Sequence, residues 1–339
     1  LILYSACTIL AKDSFITQIK SYVVHAKEKA MKKVLVLGAT GATGQVITNE
    51  LIAKGFSTKV FGRDLSMLQK LWPSIDHSIG DVFNKDDIIS AGNDVDTIFQ
   101  CAAVPYNQTV KKQVKLGKSV MDAALSLYCR IIFIDGIYAF GDADGIVTEK
   151  SPLLPVSKKG IVKKELNDLI FDSKYKSLKP ILLRLPDYYG PTMRESSYLG
   201  PTVLNIAQRQ FAMYVGPKKL QREYVYLPDA AKMAVTIASA SNTGNQSWNI
   251  PGQIISGTLF IKIAKRLAHD HLPVITLNKN IIKIIGPWQP NVAEISEMYY
   301  LTQRPIYLSH TKYEKRFGPI PDTPFEQGLR TTITALQKG

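Results

Sequence analysis

From residue 31 onward, short uninterrupted apolar runs alternate with stretches in which apolar residues recur every three or four positions. A continuous apolar run of this length reads as a strand buried on both faces, and the wider spacing reads as an amphipathic helix. The pattern predicts strands at 34–37, 57–61, 75–79, 97–101 and 130–134, with helices at 43–54, 65–71, 86–91 and 110–127 between them. The longest helix carries Val110, Val114, Leu116, Val120, Ala123, Ala124 and Leu127 at helical spacing. Gly55 is placed to stop the first helix and Pro73 to halt the second. Such alternation predicts a doubly wound parallel sheet of Rossmann type. Further on, 161–171 reads as a helix and 180–184 as a sixth strand. After Gly190-Pro191 the pattern turns irregular, with a short returning strand at 248–250 and helices at 259–268 and 291–300. The expected organisation is an α/β nucleotide-binding domain over 31–190, rejoined by the returning strand, and a smaller C-terminal substrate-binding lobe over 191–339.

Residues 1–30 differ from the rest of the chain. Met31 is followed at once by the first predicted strand, as in a protein that starts there. The segment has no basic residues before its first apolar run, has no arginine, and contains Asp13 and Glu28. It therefore lacks the pattern of a secretory or mitochondrial leader. We expect a non-core extension and a cytoplasmic protein.

The first strand runs into Gly38-Ala39-Thr40-Gly41-Ala42-Thr43-Gly44 and then into a helix. A strand, a glycine-rich turn and a helix start form a cradle for a dinucleotide diphosphate. Gly38 permits the sharp turn, Gly41 permits close approach of backbone to pyrophosphate, and Gly44 permits tight packing of helix on sheet. The helix N-terminus presents free N–H groups and partial positive charge. This makes Gly38, Thr40, Gly41, Ala42, Thr43 and Gly44 expected cofactor contacts. The spacing is G-x-x-G-x-x-G, not the G-x-G-x-x-G of common dehydrogenases.

The end of the second strand discriminates between NAD and NADP. An acidic residue there binds the ribose 2′-hydroxyl, and an arginine pairs with a 2′-phosphate. The chain carries Arg63-Asp64. Arg63 favours NADP, whereas Asp64 would either serve the 2′-hydroxyl of NAD or cap the next helix. Asp81 and Val82 follow the third strand, where a carboxylate can reach the adenine amino group or simply serve a turn. Ala102 and Ala103 end the fourth strand and would let backbone lie against the ribose.

The formal net charge is +14, and lysines cluster at 111–118, at 158–164 and at 218–219. Aromatic residues are not interleaved with them as a nucleic-acid stacking platform requires, so the clusters read as solvated surface, partly serving an anionic cofactor. No apolar run is long enough to span a bilayer. Three scattered cysteines make neither a disulfide framework nor a zinc site, and the five histidines show no metal-ligand pattern. There is no G-x-S-x-G elbow, and the glycine turn lacks the Lys-Ser/Thr ending of a nucleoside-triphosphate loop.

Over 31–336 the chain resembles the short-chain dehydrogenase/reductase superfamily, in the extended and atypical branch that includes NAD-dependent epimerases and dehydratases. The resemblance rests on the glycine turn, Gly80-Asp81, Ile137-Tyr138-Ala139-Phe140-Gly141, 148–152, 184–191, 222–231 and 248–252. It implies a nicotinamide cofactor and a small-molecule substrate. Active relatives carry Tyr-x-x-x-Lys, in which the tyrosine exchanges a proton with substrate and the lysine holds the nicotinamide ribose. Here Lys163 matches the lysine, but Lys159 stands at the tyrosine position and Gly136 at that of the usual Ser or Thr.

This departure leaves three readings open. Another residue transfers the proton, with Tyr138 the first choice and Tyr106, Asp187, Tyr188 and Tyr189 others that follow strands. A cation such as Lys159 or Lys163 beside such a tyrosine would lower its pKa. Alternatively, hydride transfer needs little help from the protein, or the protein is a silent NADP(H)-binding redox sensor. We expect Tyr138 and Lys163 as catalytic groups and Tyr106, Asp187 and Tyr188 in the substrate pocket.

Overall fold

The computed structural model describes residues 31–195, 197–285 and 295–338. The expected extension at 1–30 and residues 291–294 of one expected helix lie outside the described residues.

Seven strands, β1 (Lys33–Leu37), β2 (Ser57–Gly62), β3 (Asp76–Ile79), β4 (Thr97–Gln100), β5 (Arg130–Asp135), β7 (Ile181–Arg184) and β11 (Gln246–Asn249), form one sheet. The order is β3-β2-β1-β4-β5-β7-β11, and every pairing is parallel. The residues of β1 show why the strand reads as a continuous apolar run. Val34 and Val36 belong to the hydrophobic cluster on one face, Leu35 and Leu37 to the cluster on the other. The first face is covered by α1 (Ala42–Ala53) and α7 (Leu227–Ser239), which pack on each other through residues such as Ile47, Leu51, Ala234 and Ile237. The second is covered by α3 (Lys85–Ala91), α4 (Thr109–Leu127) and α5 (Lys158–Ile170) through Ile88, Leu116, Val120 and Leu166. A short helix, α2 (Leu65–Leu71), links β2 to β3. Strand order reverses between β1 and β4, and in such sheets ligands bind at the carboxyl ends of the strands beside that reversal.

The remaining elements gather around a third cluster rich in aromatic rings, including Tyr189, Tyr214, Tyr224 and Phe260. Strand β8 (Asp187–Tyr189) pairs in parallel with β10 (Gln221–Tyr226), which pairs antiparallel with β12 (Gln253–Ser256). Strands β9 (Ala212–Val215) and β13 (Val274–Leu277) make a parallel pair. Helices α6 (Gly200–Ala207), α8 (Gly257–Ala268) and α12 (Phe325–Lys338) pack against one another around these strands. Strand β6 (Gly145–Val147) pairs with β14 (Ile306–Leu308) and ties the C-terminal part to the loop after β5. α9 (Lys279–Ile285), α10 (Tyr300–Gln303) and α11 (Thr311–Phe317) complete the chain.

The helix expected from 161 begins earlier, at Lys158, because the Ser157 hydroxyl accepts from the Gly160 amide at 3.0 Å and caps it. No helix among the described residues is long and apolar enough to cross a membrane.

Candidate functional site

The turn from β1 into α1 is built by contacts that exclude side chains. Gly38 has φ +71°, and a Cβ there would lie 2.4 Å from the Ala102 Cα. A Cβ on Gly44 would lie 2.2 Å from the Gly38 carbonyl oxygen. Gly41 is the N-cap of α1 and has no side-chain hydrogen bond. Among the described residues, the amides of Ala42, Thr43 and Gly44 have no hydrogen-bond partner. The Gly38 and Ala39 amides are tied to the Phe61 carbonyl oxygen at 3.0 and 3.3 Å, which fixes the turn on β2. Free amides above a glycine cradle are the donor set that a dinucleotide diphosphate needs, so these residues fit the cofactor. The Thr40 carbonyl oxygen, at the same turn, accepts from the Arg194 guanidinium at 2.8 Å.

At the end of β2, Arg63 is exposed. The Asp64 carboxylate caps α2, accepting from the Met67 amide at 3.1 Å and the Ser66 hydroxyl at 2.7 Å. These bonds hold its pKa below the usual carboxylate range. Asp81 is exposed, and its carboxylate accepts the Phe83 amide at 3.0 Å in a local turn, with Val82 half-buried beside it. Ala102 lies against Gly38, and Ala103 is exposed.

On the substrate side, Tyr138 follows β5 and lines a narrow cleft that is open to solvent. Tyr138, Asp187, Tyr198, Arg222 and Glu223 supply its polar lining. Tyr106 and Tyr188 are not part of that lining, but both neighbour it. Burial, with added effects of Tyr106 and Asp187, pushes Tyr138 well above the ordinary tyrosine value. Burial likewise raises Tyr106 and Tyr188. The expectation of a tyrosine acidified by a nearby lysine is therefore corrected. Lys159 does sit over the Tyr106 ring, 4.6 Å from its centroid, but desolvation dominates and the phenol stays protonated.

Two of the four lysines of α5, Lys159 and Lys163, occupy different surroundings. Lys163 forms an ion pair with Asp135 at the end of β5. An ammonium has three donors, so one bond to Asp135 leaves donors for a ribose. Lys159 is 1% exposed and pairs with Glu297 at 3.0 Å. The reading of 158–164 as solvated surface thus fails at Lys159: the helix turns it inward, where Glu297 meets it.

Sequence reasoning missed Arg222, Glu223, Tyr198 and Glu297. Arg222 is buried and forms an ion pair with Asp187, because Asp187 and Tyr224 are opposite each other in the β8–β10 register. Burial raises the Asp187 carboxyl and Arg222 opposes that rise. Buried Glu223 accepts the Gly252 and Leu308 amides, each at 2.7 Å, and burial pushes its pKa up to about 8.

A family model described as the NAD dependent epimerase/dehydratase family matches residues 34–251, which contain the glycine turn, Tyr138, Lys163 and Asp187. The chain belongs to the NAD-dependent epimerase/dehydratase family. Membership makes it one of a family of nicotinamide-dependent enzymes and confirms the resemblance read from its motifs. Human sterol-4-alpha-carboxylate 3-dehydrogenase, decarboxylating, is 25% identical over 107 residues, 32% of this chain and 27% of that protein. DesIV, a dTDP-glucose 4,6-dehydratase from Streptomyces venezuelae solved with NAD, has TM-score 0.75 and 17% identity over 90% of this chain and 97% of that one. UDP-glucuronic acid 4-epimerase from Bacillus cereus, solved with NAD, has TM-score 0.74 and 16% identity over 90% and 99%. At these identities the solved structures establish the Rossmann-type fold.

Proposed function

We propose that this family member is an NADP(H)-dependent oxidoreductase acting between a carbonyl and an alcohol, with Tyr138 as proton donor in the reducing direction. The observation that carries the reading is the place of Tyr138, whose side chain lines the cleft that follows β5 beside Asp187 and Tyr198. Bound NADPH supplies the hydride to the carbonyl carbon. Tyr138 hydrogen-bonds the carbonyl oxygen and gives it a proton as negative charge develops there, and the phenolate recovers a proton from solvent. Lys163, oriented by its ion pair with Asp135, would hold the nicotinamide ribose. The preference for NADP over NAD is supported by Arg63, which is exposed at the end of β2, and by Asp64, whose carboxylate is engaged in capping.

The substrate is a small molecule. The named relatives act on two chemistries, nucleotide sugars and a sterol carboxylate. A second reading, a redox sensor that binds NADP(H) without turnover, is favoured by one feature: Lys159 replaces the usual proton-transferring tyrosine and is closed under Glu297. NADPH oxidation, followed by its near-ultraviolet absorbance against a panel of ketones, aldehydes and nucleotide sugars, separates the two. Consumption with any carbonyl supports the enzyme. Calorimetric binding of NADPH with no consumption across the panel supports the sensor.

A further inference from the structure

The charges around the cleft cancel internally. Arg222 is the one cationic side chain among the described residues that line it. Besides its ion pair with Asp187, its guanidinium donates to the Val215 carbonyl oxygen at 3.3 Å and the Tyr214 hydroxyl at 3.4 Å. The rings of Tyr198, Tyr214 and Tyr224 stand 5.0, 5.8 and 5.7 Å from it. An arginine enclosed on so many sides holds structure together and offers little to a ligand. Lys159, nearby through Tyr106, is closed on Glu297.

The rest of the lining is apolar: Ile137, Pro186, Met298, Leu301, Pro305 and Ile306. The buried hydroxyl of Tyr198, which lines the cleft, has no hydrogen-bond partner among the described residues. A buried donor without a partner asks for an acceptor, which a carbonyl oxygen supplies without bringing a charge. A diphosphate brings at least two negative charges, and burying them beside a carboxylate with no free cation is strongly unfavourable.

We propose that the substrate is an uncharged carbonyl compound with an apolar body, and that Asp187 excludes nucleoside diphosphate sugars by occupying the Arg222 guanidinium. This rests on the oxidoreductase reading above.

The test uses full-length protein saturated with NADP+. Thermal shift and calorimetry compare UDP-glucose with a set of neutral aryl and alicyclic ketones, 4-phenyl-2-butanone among them. We expect members of the ketone set to raise the melting temperature in a concentration-dependent way and UDP-glucose to leave it unchanged. UDP-glucose binding as tightly as the best ketone overturns the proposal, as does a ketone set that never binds while NADP+ does. Failure of NADP+ itself to bind would instead sink the oxidoreductase reading, and this one with it. Asp187→Asn keeps the side chain's size and releases Arg222 for an anion. Its affinity for UDP-glucose should rise about tenfold or more, the scale of a charge-assisted hydrogen bond. An unchanged affinity in a variant that still binds NADP+ overturns the role of Asp187. If the variant does not fold, the wild-type ligand comparison decides.

Discussion

The turn after β1 and the mouth after β5 leave the same edge of one parallel sheet, yet they are built from different materials. The turn is made of backbone: a positive φ at Gly38, a carbonyl oxygen pressed against Gly44, and amides of Ala42, Thr43 and Gly44 left open. The mouth is made of side chains that engage one another: Arg222 with Asp187, Lys159 with Glu297 and Lys163 with Asp135. A backbone cradle tolerates few changes, because the atoms that bind are also the atoms that fold. A mouth of paired side chains can be rebuilt one pair at a time while the sheet beneath stays the same. This is how a chain can keep the backbone cradle of its family while the side chains of the mouth change.

The sharpest way to break that contrast is within the turn itself. Gly44→Val places a branched side chain where even a Cβ would be 2.2 Å from the Gly38 carbonyl oxygen. Overpacking of this kind costs about 1–3 kcal/mol and more where backbone must move. We expect urea unfolding to show a loss at the upper end of that range, with NADP(H) binding abolished. Gly41→Ala meets the same oxygen at 3.2 Å and should fold nearly normally while losing cofactor affinity. If the two variants lose stability equally, the division of labour among the glycines is wrong.

On the other side of the comparison, Tyr138→Phe removes one hydroxyl and leaves the ring. Positioned acid catalysis contributes about 10²–10⁴-fold, so kcat should fall by that order while the dissociation constant for NADPH stays put. Unchanged turnover removes Tyr138 as the acid. Weakened NADPH binding would mean that mouth and turn are not separable.

The turn was readable in the sequence and the mouth was not, for a physical reason. Strands buried on both faces show as continuous apolar runs, so β1, β4 and β5 follow from the pattern alone, whereas β3 (Asp76-His77-Ser78-Ile79) has no fully buried residue and follows from its place between two helices. Strand β10 is also a core strand, but its sequence Gln221-Arg222-Glu223-Tyr224 looks polar. Its charges are satisfied by partners far away in the chain: Asp187 lies 35 residues before Arg222, and Leu308 lies 85 residues after Glu223. Lys159 looked like one member of a basic run because Glu297, 138 residues on, gives no local signal. Helix α7 was missed for a gentler reason. Ala230, Ala231, Ala234 and Ala238 pack closely on α1 and its neighbours, but alanines make little contrast with the polar face.

Arg63→Ala sharpens the cofactor half of the comparison. A charge-assisted contact to phosphate is worth about 1.5–3 kcal/mol, so NADPH affinity should drop by about tenfold or more while NADH affinity changes little. Because Asp64 is committed to the cap of α2, the variant has no acid ready to take over the 2′-hydroxyl, and no gain for NADH is expected. Equal losses for both cofactors, measured by calorimetry, would place Arg63 away from the 2′-phosphate.

The last test concerns a group in the mouth whose charge depends on pH. Burial lifts the Glu223 carboxyl to about 8 from an ordinary 4.5, so the folded protein holds a proton that the unfolded chain releases. Its contribution is fully present below the unfolded value and is lost as pH rises toward the folded one. Melting temperature should therefore decline between about pH 5 and about pH 8. Glu223→Gln, which cannot ionise, should flatten that slope, though it starts from lower stability because its amide nitrogen cannot accept either the Gly252 or the Leu308 N–H. Parallel curves for wild type and variant would mean that Glu223 is ionised in the fold and that the mouth carries a net negative charge. The turn after β1 has no titrating side chain in its backbone cradle, so a pH-dependent stability that tracks position 223 would belong to the mouth and not to the cradle.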